Sequence, residues 1–176
     1  MYLMYKPSHA VFVAIAVIAL AGSGCTTSAE HDEHPMAEDV TFSDQWANSA
    51  EDGMTSVFGT FTNAGHHPAH IVSGSSPAAG RVEIHEVSAG EAGNNMMRPK
   101  DGGITIPADG THQLVPGGDH LMLMDLTEPL QPGADVAITV VFEDGSTLPL
   151  TAQVRDFPGG NEAYGPPAGA PHHDHG

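Results

Sequence analysis

The chain has 176 residues, of which 15% are charged, and a formal net charge of −17 at pH 7. So acidic a protein repels nucleic acids and anionic lipid, which excludes a nucleic-acid-binding role. A single cysteine, Cys25, leaves no second thiol for a disulfide or for a thiolate zinc site. Any metal site must therefore be built from His, Met and carboxylate side chains.

The N-terminal residues predict export. Lys6 supplies positive charge, and residues 10–21 (AVFVAIAVIALA) form an apolar run that is too short for a permanent span but typical of a signal peptide. Residues 22–25 (GSGC) resemble a bacterial lipobox, with Gly22 where Leu is usual. We therefore expect residues 1–24 to be a signal peptide and Cys25 to carry a lipid anchor on the outer face of the cytoplasmic membrane. A plain secretory signal, giving a periplasmic or secreted protein, is the alternative.

Two segments lack the large apolar residues of a packed core. Residues 25–37 are polar and acidic and predict a flexible tether, while residues 157–176 are rich in Pro and Gly and predict a disordered tail. The tail ends in His172, His173 and His175 beside an acid, which indicates either a weak Cu(II) or Zn(II) site or a plain solvated end. Residues 38–156 are expected to form one domain.

This domain is predicted to be all-β. Short runs of β-branched and aromatic residues alternate with turn signals, and no segment offers a convincing amphipathic helix of 12 residues. The turn Asp144-Gly145 between two such runs indicates a hairpin. Strands are expected at residues 55–63, 68–73, 81–87, 103–106, 112–115, 119–125, 134–142 and 147–155. The spacing favours a β-sandwich or a small Greek-key barrel.

The segment 120–124 (HLMLM) carries the clearest chemical pattern. In a strand, Leu121 and Leu123 face one side, and His120, Met122 and Met124 face the other. An imidazole and two thioethers form a soft, uncharged donor set that suits Cu(I). Met also fills gaps in cores, so Met124 is as well explained by packing as by ligation.

A second group of the same donors lies upstream. His85 shares a predicted strand face with Glu83, and Met96 and Met97 follow after a Gly- and Asn-containing loop. That loop would fold the thioethers back over the strand, and only one of the two Met residues needs to bind. Two His and two Met without cysteine predict a copper site.

Five stretches of the domain resemble the PCu(A)C family of periplasmic copper chaperones, over about residues 38–156. They are SSPAAGRVEIHEV (75–87), MRP (97–99), IPADG (106–110), LVPGGDHLMLMDL (114–126) and FEDGST (142–147). Matching the family's His-x10-Met-x21-His-x-Met pattern gives four ligands: His85, Met97, His120 and Met122. Both long spacings exceed the pattern by one residue, and Met96 would restore the first. Met97 is aligned because Arg98-Pro99 follows it, and Val87 stands where the family often has a further Met.

The resemblance implies a cupredoxin-like β-sandwich that binds Cu(I) outside the cytoplasm and delivers it. The recipient implied is the binuclear copper centre of cytochrome c oxidase, reached with Sco-type proteins. Two other functions stay open at this point. One is a copper-tolerance lipoprotein that sequesters copper or zinc with its His-rich ends. The other is a copper redox enzyme, which the lack of a Cys ligand and of any general base or nucleophile disfavours.

Overall fold

This computed structural model describes residues 34–89 and 95–159 and the backbone of 163–164. The predicted signal peptide, Cys25, most of the tether and the His172–His175 cluster lie outside the described residues. No helix in the described part of the chain is long and apolar enough to cross a bilayer. The elements are α1 Met36–Asp39, β1 Val40–Asn48, β2 Met54–Asn63, β3 Ala69–Ser75, β4 Ala79–Ala89, β5 Asn95–Pro99, β6 Ile104–Ile106, β7 Gly110–Leu114, β8 His120–Leu126, β9 Asp135–Phe142, β10 Thr147–Arg155 and β11 Ala163–Tyr164.

The strands follow one path that closes on itself. Its order is β4-β8-β2-β1-β10-β9-β3, and β3 returns to β4 where Gly74 pairs with Val82. β5 and then β11 extend from β4, while β6 pairs with β3 and β7 with β2. The pairs β1–β10 and β11–β5 are parallel, and the other pairs are antiparallel. The all-β prediction is confirmed.

Alternate side chains of these strands fill the interior. The largest fully buried ones include Phe61, Phe142, Ile71 and Leu121. Burying each such side chain contributes about 1.5–3 kcal/mol. Because strand side chains alternate, the residues between these core positions form an outer face.

Most predicted strands are confirmed, but three observed strands, β1, β5 and β11, were not expected. β11 lies within residues 157–176, which were predicted to be a disordered tail. The predicted hairpin forms between β9 and β10, where Gly145 has a φ of 82°. β5 was expected to be part of a loop, because Asn95-Met96-Met97 contains no β-branched residue; it is a strand because it pairs with β4. Its conformation depends on a tertiary partner rather than on local preference.

β1 was missed because a bulge breaks its alternation. The pairing of β1 with β2 shifts between Ser43 and Trp46, and Asp44 has a φ of 53°. Phe42 packs against the interior core, as does Ala47, so Trp46 is turned to the outer face. One extra residue inverts the side-chain pattern of the rest of a strand.

Gly59 of β2 gives a test of this packing. Its φ is 153°, and a Cβ there would lie 2.5 Å from a ring carbon of Phe42. We expect Gly59→Ala to lower the free energy of unfolding by about 2–4 kcal/mol, from backbone strain and overpacking together. Urea denaturation with an unchanged m-value measures the loss.

Gly133→Ala is the matched control. Gly133 has a φ of 89°, but a Cβ added at this residue would meet nothing within 4 Å. This variant should lose only about 1 kcal/mol, the cost of the positive φ. Equal losses in the two variants would show that the contact with Phe42 is unimportant.

Candidate metal centre

The outer face of β2, β8 and β4 brings the two predicted histidine ligands together. His85 and His120 are direct cross-strand partners, and their ring centroids lie 5.6 Å apart at an interplanar angle of 68°. Phe58 of β2 flanks His120 on the other side, with ring centroids 6.0 Å apart. His85 is 0% exposed and His120 is 3% exposed, so two imidazoles are buried side by side.

The next position along β8 places a thioether beside these rings. Met122 lies between Ser56 of β2 and Glu83 of β4 in the strand register. The Ser56 hydroxyl donates a hydrogen bond to the Met122 sulfur at 3.6 Å. Such a bond fixes the side chain of Met122 within an otherwise apolar contact.

Three buried methionines form one cluster, separate from the interior core. Met97 of β5 packs with Met122 and Met124, and Val87 packs against them. Met96 precedes Met97 in the same strand and is half-buried, so its side chain points to the opposite side. The structure therefore brings His85, His120, Met97 and Met122 to one region of the outer face, with Met124 one row further along β8.

The predicted division of β8 is confirmed. Leu121 and Leu123 are fully buried in the interior core, while Met122 and Met124 belong to the outer cluster. Both faces of β8 are therefore covered. A one-residue shift of β8 would turn Leu121 and Leu123 to the outer face and bring His120, Met122 and Met124 into the interior core.

The hydrogen bonds of the two imidazoles indicate that a different ring nitrogen carries the proton in each histidine. His120 Nδ1 lies 3.0 Å from the Gly118 carbonyl oxygen, so this nitrogen carries the proton and Nε2 carries the lone pair. His85 Nε2 lies 2.8 Å from the Glu83 carboxylate and donates to it, so Nδ1 carries the lone pair of the neutral ring. Both lone-pair nitrogens are buried.

Glu83 adds a negative charge behind His85. Burial raises the pKa of Glu83, but hydrogen bonds from His85 and Arg81 outweigh burial and hold this pKa below its usual value. Arg81 Nε lies 2.7 Å from Glu83 Oε1, and the Arg81 guanidinium also forms an ion pair with Asp125. The carboxylate is therefore ionised at neutral pH and orients the His85 ring, in the way that carboxylates orient metal-bound histidines.

A second charge network borders the histidines. Lys100 Nζ contacts the carboxylates of Glu86 at 3.1 Å and Asp119 at 3.3 Å. Arg98 also contacts Glu86, and His112 also contacts Asp119. Hydrogen bonds from Lys100 and Arg98 lower the pKa of Glu86. Burial lowers the pKa of Lys100, but its two carboxylate partners raise it overall. These contacts join β4, β5 and the segments around β7 and β8 next to His85 and His120.

Sequence reasoning did not assign a role to Glu83, Ser56 or Asp119. Glu83 had a visible signal, because it precedes His85 by two residues and so shares its strand face. Ser56 and Asp119 reach the site through register and loop geometry, which the sequence does not reveal.

Other histidines of the described residues lie elsewhere. His66 contacts Asp109 at 3.3 Å, and His70 contacts the Thr105 hydroxyl at 2.8 Å. Within residues 34–89 and 95–159, no group of three or more His, Cys, Asp or Glu side chains is placed to hold a metal ion.

Comparisons of the amino-acid sequence relate this chain to known lipoproteins. A family described as "Putative lipoprotein LpqE-like" matches residues 40–154. The putative lipoprotein Lxx21020 of Leifsonia xyli subsp. xyli (strain CTCB07) is 37% identical over 153 residues, which cover 85% of this chain and 92% of that protein.

Two solved structures share the fold. The copper-bound PCuAC domain from PmoF2 aligns with a TM-score of 0.56 at 18% identity, covering 68% of this chain and 94% of that domain. The solution structure of CuI-DR1885 from Deinococcus radiodurans aligns with a TM-score of 0.52 at 33% identity, covering 70% of this chain and 85% of that protein. The expected cupredoxin-like β-sandwich is thus confirmed. The chain belongs to the LpqE-like family of putative lipoproteins, which is of the PCuAC type.

Proposed function

We propose that this protein binds one Cu(I) ion outside the cytoplasm through His85, Met97, His120 and Met122, and passes it to a recipient protein. The observation that carries the proposal is the convergence of two buried imidazoles and a buried methionine cluster on the outer face of β4, β5 and β8. Imidazole and thioether donors are neutral and soft, and they suit Cu(I) rather than Mg²⁺ or Ca²⁺. Two structural relatives, one described as copper-bound and one as carrying Cu(I), support the same metal.

The hydrogen bonds around the rings indicate how each histidine would bind. His85 would use Nδ1, because Glu83 accepts the proton on Nε2, and His120 would use Nε2, because the Gly118 carbonyl accepts the proton on Nδ1. Neutral ligands leave the charge of Cu(I) uncompensated, and burying such a charge is costly. The ionised Glu83 behind His85 offsets part of that cost.

The donor set also favours transfer over permanent storage. No thiolate takes part, so each metal–ligand bond is weaker than in a Cys site. Met97 lies on β5, which pairs only with β4 and the two-residue strand β11 among the described residues. This strand is the least supported of the three that carry ligands, so displacement by a recipient would begin at Met97.

The cellular setting is part of the proposal. The lipoprotein names of the family and of the relative support export and anchoring, with the lipid on Cys25. The resemblance to periplasmic copper chaperones supports delivery to the binuclear centre of cytochrome c oxidase, alone or with a Sco-type protein.

Replacing sulfur without changing volume tests the ligand set. We expect Met97→Leu/Met122→Leu to weaken Cu(I) binding at least about 100-fold, since losing even a partner that only orients a ligand costs about 10–100-fold. Leu for Met is nearly volume-conserving, so the fold should remain intact. Competition with a chromophoric Cu(I) chelator measures affinity, and X-ray absorption of the wild type should count two sulfur and two nitrogen neighbours.

Met36→Leu is the matched control, because Met36 packs against the interior core instead of the outer cluster. It should bind Cu(I) as the wild type does. Full affinity in the double variant, together with an unchanged sulfur count, would show that the ligands have been assigned wrongly.

Substitutions in the His-rich tail distinguish a delivery function from a sequestration function. We expect a triple variant, His172→Asn, His173→Asn and His175→Asn, to keep one Cu(I) per chain at unchanged affinity, because the proposed ligands all lie in the domain. Equilibrium dialysis gives the stoichiometry, and mixing with a copper-free recipient domain shows transfer. A loss of half the Cu(I) capacity or more would favour a sequestering protein instead.

A further inference from the structure

The proposed ligands are sealed from solvent, which raises the question of how a metal reaches them. His85, His120, Met97 and Met122 are between 0% and 6% exposed. A bare Cu(I) ion does not diffuse through an apolar layer, because it would lose all its ligands on the way. A route must therefore offer soft donors in succession.

Further thioether side chains lie along the outer face beyond Met122. Beyond Met122, the next outward residue of β8 is Met124, which is 4% exposed. Met124 is the direct cross-strand partner of Met54, the first residue of β2, and Met54 is 39% exposed. Directly opposed residues of an antiparallel pair project to the same face, about 4.5–5.5 Å apart at Cβ.

The strand register therefore places Met54, Met124 and Met122 in succession on one face, from the surface to the proposed site. Met124 packs in the same cluster as Met122 and Met97. Along β8, side chains on one face repeat about every 6.6–6.8 Å, which suits exchange from one sulfur to the next.

We propose that Met54 and Met124 form a loading site for Cu(I), from which the ion passes to Met122 and the histidines. This inference rests on the proposed function of that site. The step is a ligand exchange: a bond from copper to the Met124 sulfur forms as the bond to the Met54 sulfur breaks, and the ion remains Cu(I). Met54 thus binds Cu(I) first, at the surface, and Met124 transfers it to Met122.

The charges beside this route favour a cation. Arg81 is the cross-strand partner of Met124 on the side away from Met54. Its guanidinium pairs with both Glu83 and Asp125, so the three residues together carry one net negative charge. In a chain with a net charge of −17, this end of the outer face attracts rather than repels a monovalent cation.

Loading kinetics test the inference. Stopped-flow mixing of the copper-free full-length chain with a Cu(I)–bicinchoninate complex follows copper transfer by the loss of the complex's colour. We expect Met54→Leu to load at least about tenfold more slowly than the wild type, equal to about 1.4 kcal/mol in barrier height. Its equilibrium affinity should stay the same, because Met54 is not a ligand in the final complex. Met124→Leu should show the same slow loading.

Met36→Leu serves as the control and should load at the wild-type rate. If Met54→Leu loads as fast as this control, the loading site is refuted while the proposed copper site stands. If Met54→Leu instead loses affinity tenfold at equilibrium, Met54 belongs to the final site and the inference is again overturned. If the wild type binds no Cu(I), the proposed function fails and this inference fails with it. Circular dichroism checks that each variant is folded.

Discussion

The antiparallel pairing of β8 between β2 and β4 positions every side chain of the candidate centre except Met97, which lies on β5. His120 is aligned with His85, Met122 with Ser56 and Glu83, and Met124 with Met54 and Arg81. The register is held by Leu121 and Leu123, which are fully buried on the opposite side of the strand. Because a one-residue slip would place a histidine and methionines in the core, the hydrophobic effect that folds the barrel also holds His120, Met122 and Met124 on the outer face.

The electrostatic arrangement fits a buried monovalent cation. The Glu83 carboxylate contacts the His85 ring directly, and Arg81 holds this carboxylate in place. Glu86, Lys100 and Asp119 form the second network, in which Glu86 follows His85 and Asp119 precedes His120 in the chain.

Aromatic residues protect the site on its other flank. Phe58 lies against His120, Trp46 packs on Phe58 in a tilted arrangement with centroids 4.6 Å apart, and Phe157 meets Trp46 edge-on at 5.2 Å. Trp46 reaches this row only because the bulge at Asp44 turns it outward. The bulge therefore serves the outer face, although it requires a positive φ in a residue other than glycine.

The sequence by itself determined the chemistry and much of the fold. Alternation along residues 120–124 predicted a two-sided strand, turn residues predicted most strands, and the missing thiol pair restricted the donors to His, Met and carboxylate. Spacing could not choose between Met96 and Met97, since either fits a flexible loop. In the structure β5 forms through its pairing with β4, and it places Met97, but not Met96, in the cluster with Met122 and Met124.

Only the tertiary structure decided which distant residues meet. Glu83 behind His85, Ser56 on Met122, and the alignment of Met54 with Met124 all depend on strand register. Local sequence fixes which way a side chain points from its own strand. It does not determine which strands pair, because pairing depends on the burial of the whole core. In β1, a bulge with one extra residue also reverses the alternation of side chains between the two faces.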